Sequence, residues 1–122
     1  MAYLNDNVFD SGLSWAQTNG TRLDICSAEP TTYAGIASVS LGNDTVTTGA
    51  PTNGATDGRR VIVGAITEGE VTDTGSATHW ALSDGDALLV ATGPLSASQS
   101  VTDGNTFTLD AISLTIRDAT AV

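Results

Sequence analysis

The sequence predicts an all-β domain: a jelly-roll-like sandwich or small barrel of about seven to nine short antiparallel strands, with an N-terminal arm or short helix. Two observations predict it. From residue 21 onward, short runs rich in β-branched and alternating apolar residues recur along the chain, and Gly, Asn, Asp and Pro separate them about every ten residues. The composition is also rich in Thr, Ser and Gly and contains no lysine, which is typical of a turn-rich β protein with hydroxyl-covered strands.

The apolar residues among the first 20 have a spacing that is partly helical. Leu4 and Val8, and then Phe9 and Leu13, are each four residues apart, until a Ser-Gly pair at residues 11–12 interrupts the pattern. We therefore expect residues 1–20 to form an arm or short helix. Residues 21–122 are predicted to form a single β domain, because a chain of 122 residues has room for one core.

Residues 21–41 predict two strands. The run TRLDICS at residues 21–27 alternates polar and apolar residues, residues 33–41 do so more loosely, and residues 28–30 are predicted to be a turn. Cys26 is the only cysteine and lies in the alternating run. We expect it to be a small buried hydrophobic residue.

Residues 42–58 are nearly all Gly, Pro, Asn, Asp, Thr and Ala. This composition cannot fill a core, so it predicts an exposed loop. Loops of this length in small domains commonly have a function. We interpret it as a contact loop that becomes ordered on a partner.

The remaining chain predicts strands at residues 59–66, 78–83, 87–92, 98–102, 106–109 and 112–116, with turns at residues 68–70, 84–86 and 103–104. The Asp-Gly turn between two apolar runs predicts an antiparallel hairpin over residues 78–92, and the Gly-Pro pair at residues 93–94 is predicted to end its second strand.

Strand periodicity also predicts which side chains share a face. Trp80 and Leu82 are expected on the core side of their strand, with His79 and Ala81 opposite. In the last strand we expect the three apolar side chains to face the core, namely Ile112, Leu114 and Ile116.

The charge of the chain limits its partners. Four arginines stand against fourteen acidic residues, which gives a formal net charge of −10. Binding to nucleic acid or to an anionic membrane requires basic side chains, so we expect neither partner. The N-terminal segment has no secretory signal, and no apolar run reaches the roughly 18 residues of a membrane span, so we expect synthesis in a reducing cytoplasm.

Catalytic and metal-binding patterns are weak. His79 is the only histidine, no G-x-S-x-G turn is present, and a phosphate loop with its lysine is excluded because there is no lysine. Asp84, Asp86 and Asp103 offer oxygen ligands for calcium, but the further ligands of a loop site are missing, so plain turns are favoured. We expect no enzyme, no cofactor and no metal.

Four strings resemble a group of small proteins encoded in the structural modules of tailed phages and prophages: YLNDNVFD (residues 3–10), NGTRLDICSAEPTTY (19–33), THWAL (78–82) and GPLSASQ (93–99). The resemblance extends over nearly the whole chain. It implies a virion structural protein, and above all a capsid decoration or cement protein. Such a protein is a small, usually trimeric β-barrel on the outer surface of the head, where it bridges major capsid subunits. The resemblance implies no catalytic residues.

Aromatic residues make up only 5% of the chain, so large core side chains are few and the core is expected to be thin. The resemblance and the thin core together favour a protein stabilised by trimerisation and by docking on the major capsid protein. We expect the N-terminal segment and the loop to make these contacts, through Tyr3, Leu4, Val8, Phe9, Asn43, Asp44, Pro51 and Asn53. Two alternatives remain open. One is a receptor-binding or carbohydrate-binding module of the tail or fibre, and the other is a subunit of the head-tail connector.

Overall fold

The computed structural model describes residues 5–56 and 58–117. This part of the chain is mostly β, which confirms the predicted fold class. It contains α1 (Asp6–Asn19), β1 (Arg22–Cys26), α2 (Tyr33–Val39), β2 (Ser40–Thr45), β3 (Thr52–Asn53), β4 (Arg59–Val63), β5 (Ile66–Val71), β6 (Gly75–Ser83), β7 (Leu89–Val101), β8 (Thr106–Leu109) and β9 (Ile112–Ile116).

The strands form two antiparallel sheets. The larger has six strands in the order β7-β6-β1-β2-β5-β8 and curls into a half-barrel, and the smaller has three in the order β3-β4-β9. The main core is made of side chains from both sheets, among them Leu23, Ile25, Val63, Leu82 and Phe107. Because β4 leads directly into β5 and β8 into β9, the chain passes between the sheets at both places.

The strand β1 is central to the larger sheet and is buried on both faces. Leu23 and Ile25 face the main core, whereas Cys26 packs with Ile36 of α2 and Ala81 of β6 on the other face. Cys26 is fully buried, as expected. The predicted opposition of Ala81 to the core residues Trp80 and Leu82 is confirmed by the same arrangement.

The helix α1 confirms the helical alternative for the N-terminal segment. The Asn5 side chain caps it by accepting a hydrogen bond from the backbone N–H of Asn7 at 2.8 Å, and Gly20 ends it. The Ser-Gly pair at residues 11–12 does not interrupt the helix, because one glycine costs only about 1 kcal/mol relative to alanine and packing offsets it.

The strand predicted for residues 33–41 is wrong over its first seven residues, which form α2. The signal that decides this is a cap: the Thr32 hydroxyl accepts a hydrogen bond from the backbone N–H of Gly35 at 3.0 Å. Of this helix only Ile36 is buried. A single buried residue leaves too little periodicity for the sequence to distinguish a short helix from a strand.

The hairpin predicted over residues 78–92 is confirmed and is longer than predicted. The strands β6 and β7 pair from Gly75, opposite Val101, to Ser83, opposite Leu89. The Gly-Pro pair at residues 93–94 does not end β7, so this prediction is wrong. A proline is tolerated here because β7 is an edge strand, where its missing N–H removes no bond to a second neighbour.

The turn predicted at residues 68–70 is also wrong, because these residues lie within β5. Gly69 is needed for packing and not for a turn: a Cβ atom placed on it would lie 2.3 Å from the Phe107 ring. The ring of the neighbouring strand occupies the space that a side chain would take.

The exposed loop predicted for residues 42–58 is correct only in part. Its first residues belong to β2 and two of its residues form β3, while Val46 and Thr48 are buried. The Thr48 hydroxyl donates to the carbonyl of Gly20 at 2.8 Å, which attaches this segment to the end of α1. Hydroxyl groups that bond the backbone let polar residues fill this region.

Candidate functional site

The helix α1 packs across the smaller sheet. Phe9 and Leu13 are buried against Val61 of β4, and Leu114 of β9 packs partly buried beside them. Phe9 was predicted to be an interface residue, but it is 2% exposed and belongs to the core. An apolar residue in the first turns of a terminal helix suits either role, and the sequence does not say which side of the helix faces inward.

A second apolar stripe runs along one flank of α1 beside the buried one. Val8, Gly12 and Trp15 are separated by four and three residues, so they lie in one row on the helix. Val8 is 57% exposed and Trp15 is 48% exposed. Val8 is therefore the one described N-terminal residue of the predicted interface that is available for contact.

This stripe continues onto β9. A Cβ atom on Gly12 would lie 4.0 Å from Cδ1 of Ile116, so the side chain of Ile116 reaches the helix at this position. Ile116 is 40% exposed, which corrects the expectation that all three apolar residues of the last strand face the core. We call Val8, Gly12, Trp15 and Ile116 the α1–β9 patch.

The patch lies beside an open sheet edge. Among the described residues β9 pairs only with β4, so its other edge carries backbone N–H and C=O groups with no neighbouring strand. Such an edge can accept a strand from another chain. Indole, aliphatic side chains and a free strand edge together equip this region for non-covalent protein contact.

The opposite flank of α1 is fixed by Arg59. Its guanidinium donates to both carboxylate oxygens of Asp10, at 2.9 and 3.1 Å, and to the side-chain oxygen of Asn53 at 2.9 Å and the carbonyl of Pro51 at 3.4 Å. The hydrogen bond to Asp10 is the main cause that raises the pKa of Arg59 above its ordinary value. Pro51 and Asn53 are thus held against α1, but across the helix from Val8.

The structure does not bring the other predicted interface residues to this region. Asn43 and Asp44 lie in β2 of the larger sheet, opposite Asp24 and Leu23 of β1. The two remaining ones, Tyr3 and Leu4, are outside the described residues.

Sequence reasoning missed Trp15 and Ile116. Trp15 was within reach, because it follows Val8 by seven residues and thus falls on the same side of a helix. Ile116 was not, since its proximity to Gly12 of α1 arises only in the folded chain.

The residues considered for chemistry are occupied by structural roles. Nδ1 of His79 lies 2.9 Å from the Thr78 hydroxyl. One carboxylate oxygen of Asp84 accepts hydrogen bonds from the backbone N–H groups of Asp86, Ala87 and Leu88, each at 2.9 Å, so it closes a turn. Burial is the main cause that raises the pKa of the Cys26 thiol to about 12, which keeps it protonated and unreactive at neutral pH.

Within residues 5–56 and 58–117, no three His, Cys, Asp or Glu side chains are grouped so as to hold a metal ion. In the same part of the chain, neither helix has the length and apolarity to cross a membrane. No family model, curated protein or solved structure matches the chain.

Proposed function

We propose that the chain is a non-enzymatic virion protein that decorates the outer surface of a phage head and holds neighbouring major capsid subunits together. The α1–β9 patch is the observation that carries this proposal. The strings that resemble phage structural proteins supply the kind of particle, and the patch supplies the means of docking.

The patch has the properties of a protein contact. Tryptophan is among the residues most enriched at the energetic centres of interfaces, and an exposed indole beside exposed aliphatic side chains is unfavourable in water unless something covers it. Trp15, Val8 and Ile116 provide such a group. Docking would bury it and would add the free edge of β9 to the contact.

The charge of the molecule restricts the surface that it docks on. The net charge is −10, and two of the four arginines are already paired with Asp24 and Asp10 inside the fold. A neutral or basic region of the capsid protein fits this charge, and the packaged DNA does not. The outer surface of the head is therefore the expected location.

The stabilising mechanism is mass action. A protein that binds the expanded shell and not the unexpanded one stabilises the expanded state by its binding free energy. A homotrimer around a local symmetry axis would present three α1–β9 patches and three open β9 edges at once.

The first test is the copy number of the protein in purified virions, measured by quantitative mass spectrometry against the major capsid protein. Decoration predicts copies on the order of hundreds, as icosahedral symmetry demands. A count of about three to twenty would place the protein in the tail, fibre or connector. Absence from the particle would rule out the virion role.

A second test addresses the patch itself. Heads that lack the protein are mixed with the purified chain or with the Trp15→Asp variant, and bound protein is measured after sedimentation. We expect Trp15→Asp to abolish binding. The matched control is Leu88→Asp, since Leu88 is exposed to a similar extent, 44%, at the β6–β7 turn. Equal binding by both variants would contradict docking through the patch.

A further inference from the structure

A groove of about 410 Å³ lies between β7 and the segment that joins β8 to β9. It exists because β7 leaves its neighbour: Pro94 pairs with His79 of β6, and the next paired residue is Gln99, opposite Ala77. The residues between them, 95–98, form one wall of the groove, and residues 108–112 form the other. Its volume is within the range of about 300 to 1,000 Å³ that is typical of ligand sites.

The floor of the groove is apolar. Trp80 reaches it by crossing the edge strand, which is possible because its partner on β7 is Gly93: a Cβ atom there would lie 2.7 Å from Cζ2 of the indole. Leu95, Leu109 and Ile112 complete the floor. Trp80 is 8% exposed, so it offers the groove part of its ring, with the neighbouring aliphatic groups extending the apolar surface.

The rim of the groove is polar, and its side chains are not engaged in hydrogen bonds with the described part of the chain. It carries three hydroxyl groups, an amide and a carboxylate, and none of these five side chains hydrogen-bonds another described residue: Ser96, Ser98, Gln99, Thr108 and Asp110. The rim therefore offers both donors and acceptors to a ligand.

The charge of the groove excludes one class of ligand. Among the residues that the structure describes, no arginine or histidine lines it, and its one charged side chain is Asp110, in a molecule of net charge −10. An anion would meet repulsion with no compensating cation. A ligand that fits is neutral, with an apolar face for the floor and several hydroxyl or amide groups for the rim.

A neutral saccharide has this chemistry, and we propose that the groove binds one. The C–H groups of a sugar ring contact the exposed part of Trp80 and the aliphatic side chains beside it, and the sugar hydroxyl groups bond the rim, with Asp110 as the strongest acceptor. This site goes beyond the proposed docking function and is separate from it, because the groove reaches β9 at Ile112, about 13 Å along the strand from Ile116 of the α1–β9 patch.

Most of the rim is exposed to solvent, so a single site is expected to bind weakly, with a dissociation constant in the millimolar range. Many copies arrayed on one particle would convert weak sites into firm attachment to a glycan-covered surface. The single-site measurement below does not depend on that array.

The test is a titration of the full chain, with its tryptophans labelled with ¹⁵N, followed by nuclear magnetic resonance. The probes are lactose, cellobiose and N,N′-diacetylchitobiose, with 3′-sialyllactose as the anionic counterpart of lactose. The chain has two tryptophans, and the Trp15→Phe variant assigns their indole signals. We expect at least one neutral disaccharide to shift the Trp80 Nε1–H signal and leave that of Trp15 in place, and sialyllactose to bind several-fold more weakly than lactose.

A second test uses two substitutions in the rim, Asp110→Asn and Gln99→Ala. The matched control is Asp103→Asn, because Asp103 is an exposed acidic residue of a nearby turn that does not line the groove. The first two changes are expected to weaken binding several-fold and the control to leave it unchanged. The proposal is overturned if no neutral disaccharide moves the Trp80 signal, if Trp15 responds instead, or if Asp103→Asn weakens binding as much as Asp110→Asn.

Discussion

Asp84 shows how a single carboxylate organises a turn. It is the acceptor of three backbone N–H groups between β6 and β7, and the bond from Leu88 is the largest of the causes that lower its pKa below the ordinary value of 3.8. A carboxyl whose pKa is lower in the folded state stabilises the fold above its unfolded pKa. The stabilisation is lost as the pH falls through the folded value.

We therefore expect Asp84→Asn to lower the free energy of unfolding at neutral pH, and the difference from the unaltered chain to shrink as the pH falls below about 4. Urea unfolding of both proteins across this range measures the difference. Asp86→Asn is the control, because Asp86 contributes only its backbone N–H to the turn. A difference that stays constant down to low pH would show that charge is not the cause.

Gly69 is the residue at which sequence and structure differ most directly. Between two glutamates it predicts a turn, yet it lies in β5 beneath the Phe107 ring. We expect Gly69→Ala to destabilise the protein by about 1 to 3 kcal/mol, since the added methyl group must displace the ring. The measurement is the midpoint of urea unfolding.

Gly49→Ala is the matched substitution. Its Cβ would make ordinary contact, 3.6 Å from the carbonyl oxygen of Ile62. A surface change of this kind is expected to alter stability by less than about 0.5 kcal/mol. Equal effects of the two substitutions would mean that the Phe107 ring moves aside without cost.

Among the elements, α1 combines two roles on neighbouring stripes. Phe9 faces the core at 2% exposure, and Val8 faces solvent at 57%. We expect Phe9→Ala to cost about 3 to 5 kcal/mol of stability. Val8→Ala is expected to change it by less than about 0.5 kcal/mol.

Thermal unfolding and head binding, measured on both variants, separate the roles. Val8→Ala should weaken head binding while it leaves the unfolding temperature unchanged. A loss of stability in Val8→Ala similar to that in Phe9→Ala would place Val8 in the core and would remove it from the α1–β9 patch.

The elements also show where the sequence is informative. The β6–β7 hairpin and β1 were predicted because their strands alternate and their turns contain Asp-Gly or Pro. The helix α2 was not, since two turns with one buried residue give almost no periodicity, and Thr32 at its cap is an ordinary loop residue in sequence. The continuation of β7 past Pro94 depends on its edge position, which is a property of the sheet and not of the local sequence.

At the scale of the whole molecule, the sequence predicted a contact surface that includes the N-terminal segment, and the α1–β9 patch contains only Val8 of the residues predicted for it. Val8 was identified because it is apolar and N-terminal. The patch itself requires Trp15 and Ile116, which are 101 residues apart in the chain and share one surface only because the side chain of Ile116 reaches α1 at Gly12. The groove at Trp80 is likewise invisible in the sequence, where Trp80 was assigned to the core alone.

The net charge also acts on the whole molecule. Fourteen acidic residues and four arginines leave an excess of −10, so the folded chain repels itself more than the expanded unfolded chain does. Salt screens this repulsion over a Debye length of about 10 Å at 0.1 M. It also screens the Arg59–Asp10 and Arg22–Asp24 pairs, but these are two close contacts against a much larger number of like charges.

We therefore expect added sodium chloride to raise the urea midpoint of unfolding, with most of the rise complete by physiological ionic strength. Parallel titrations with Arg59→Gln distinguish the two effects, because loss of that ion pair should lower the midpoint at every salt concentration and leave the upward trend in place. A midpoint that falls as salt is added would mean that the two ion pairs, and not the excess of acidic residues, govern the electrostatic stability of the fold.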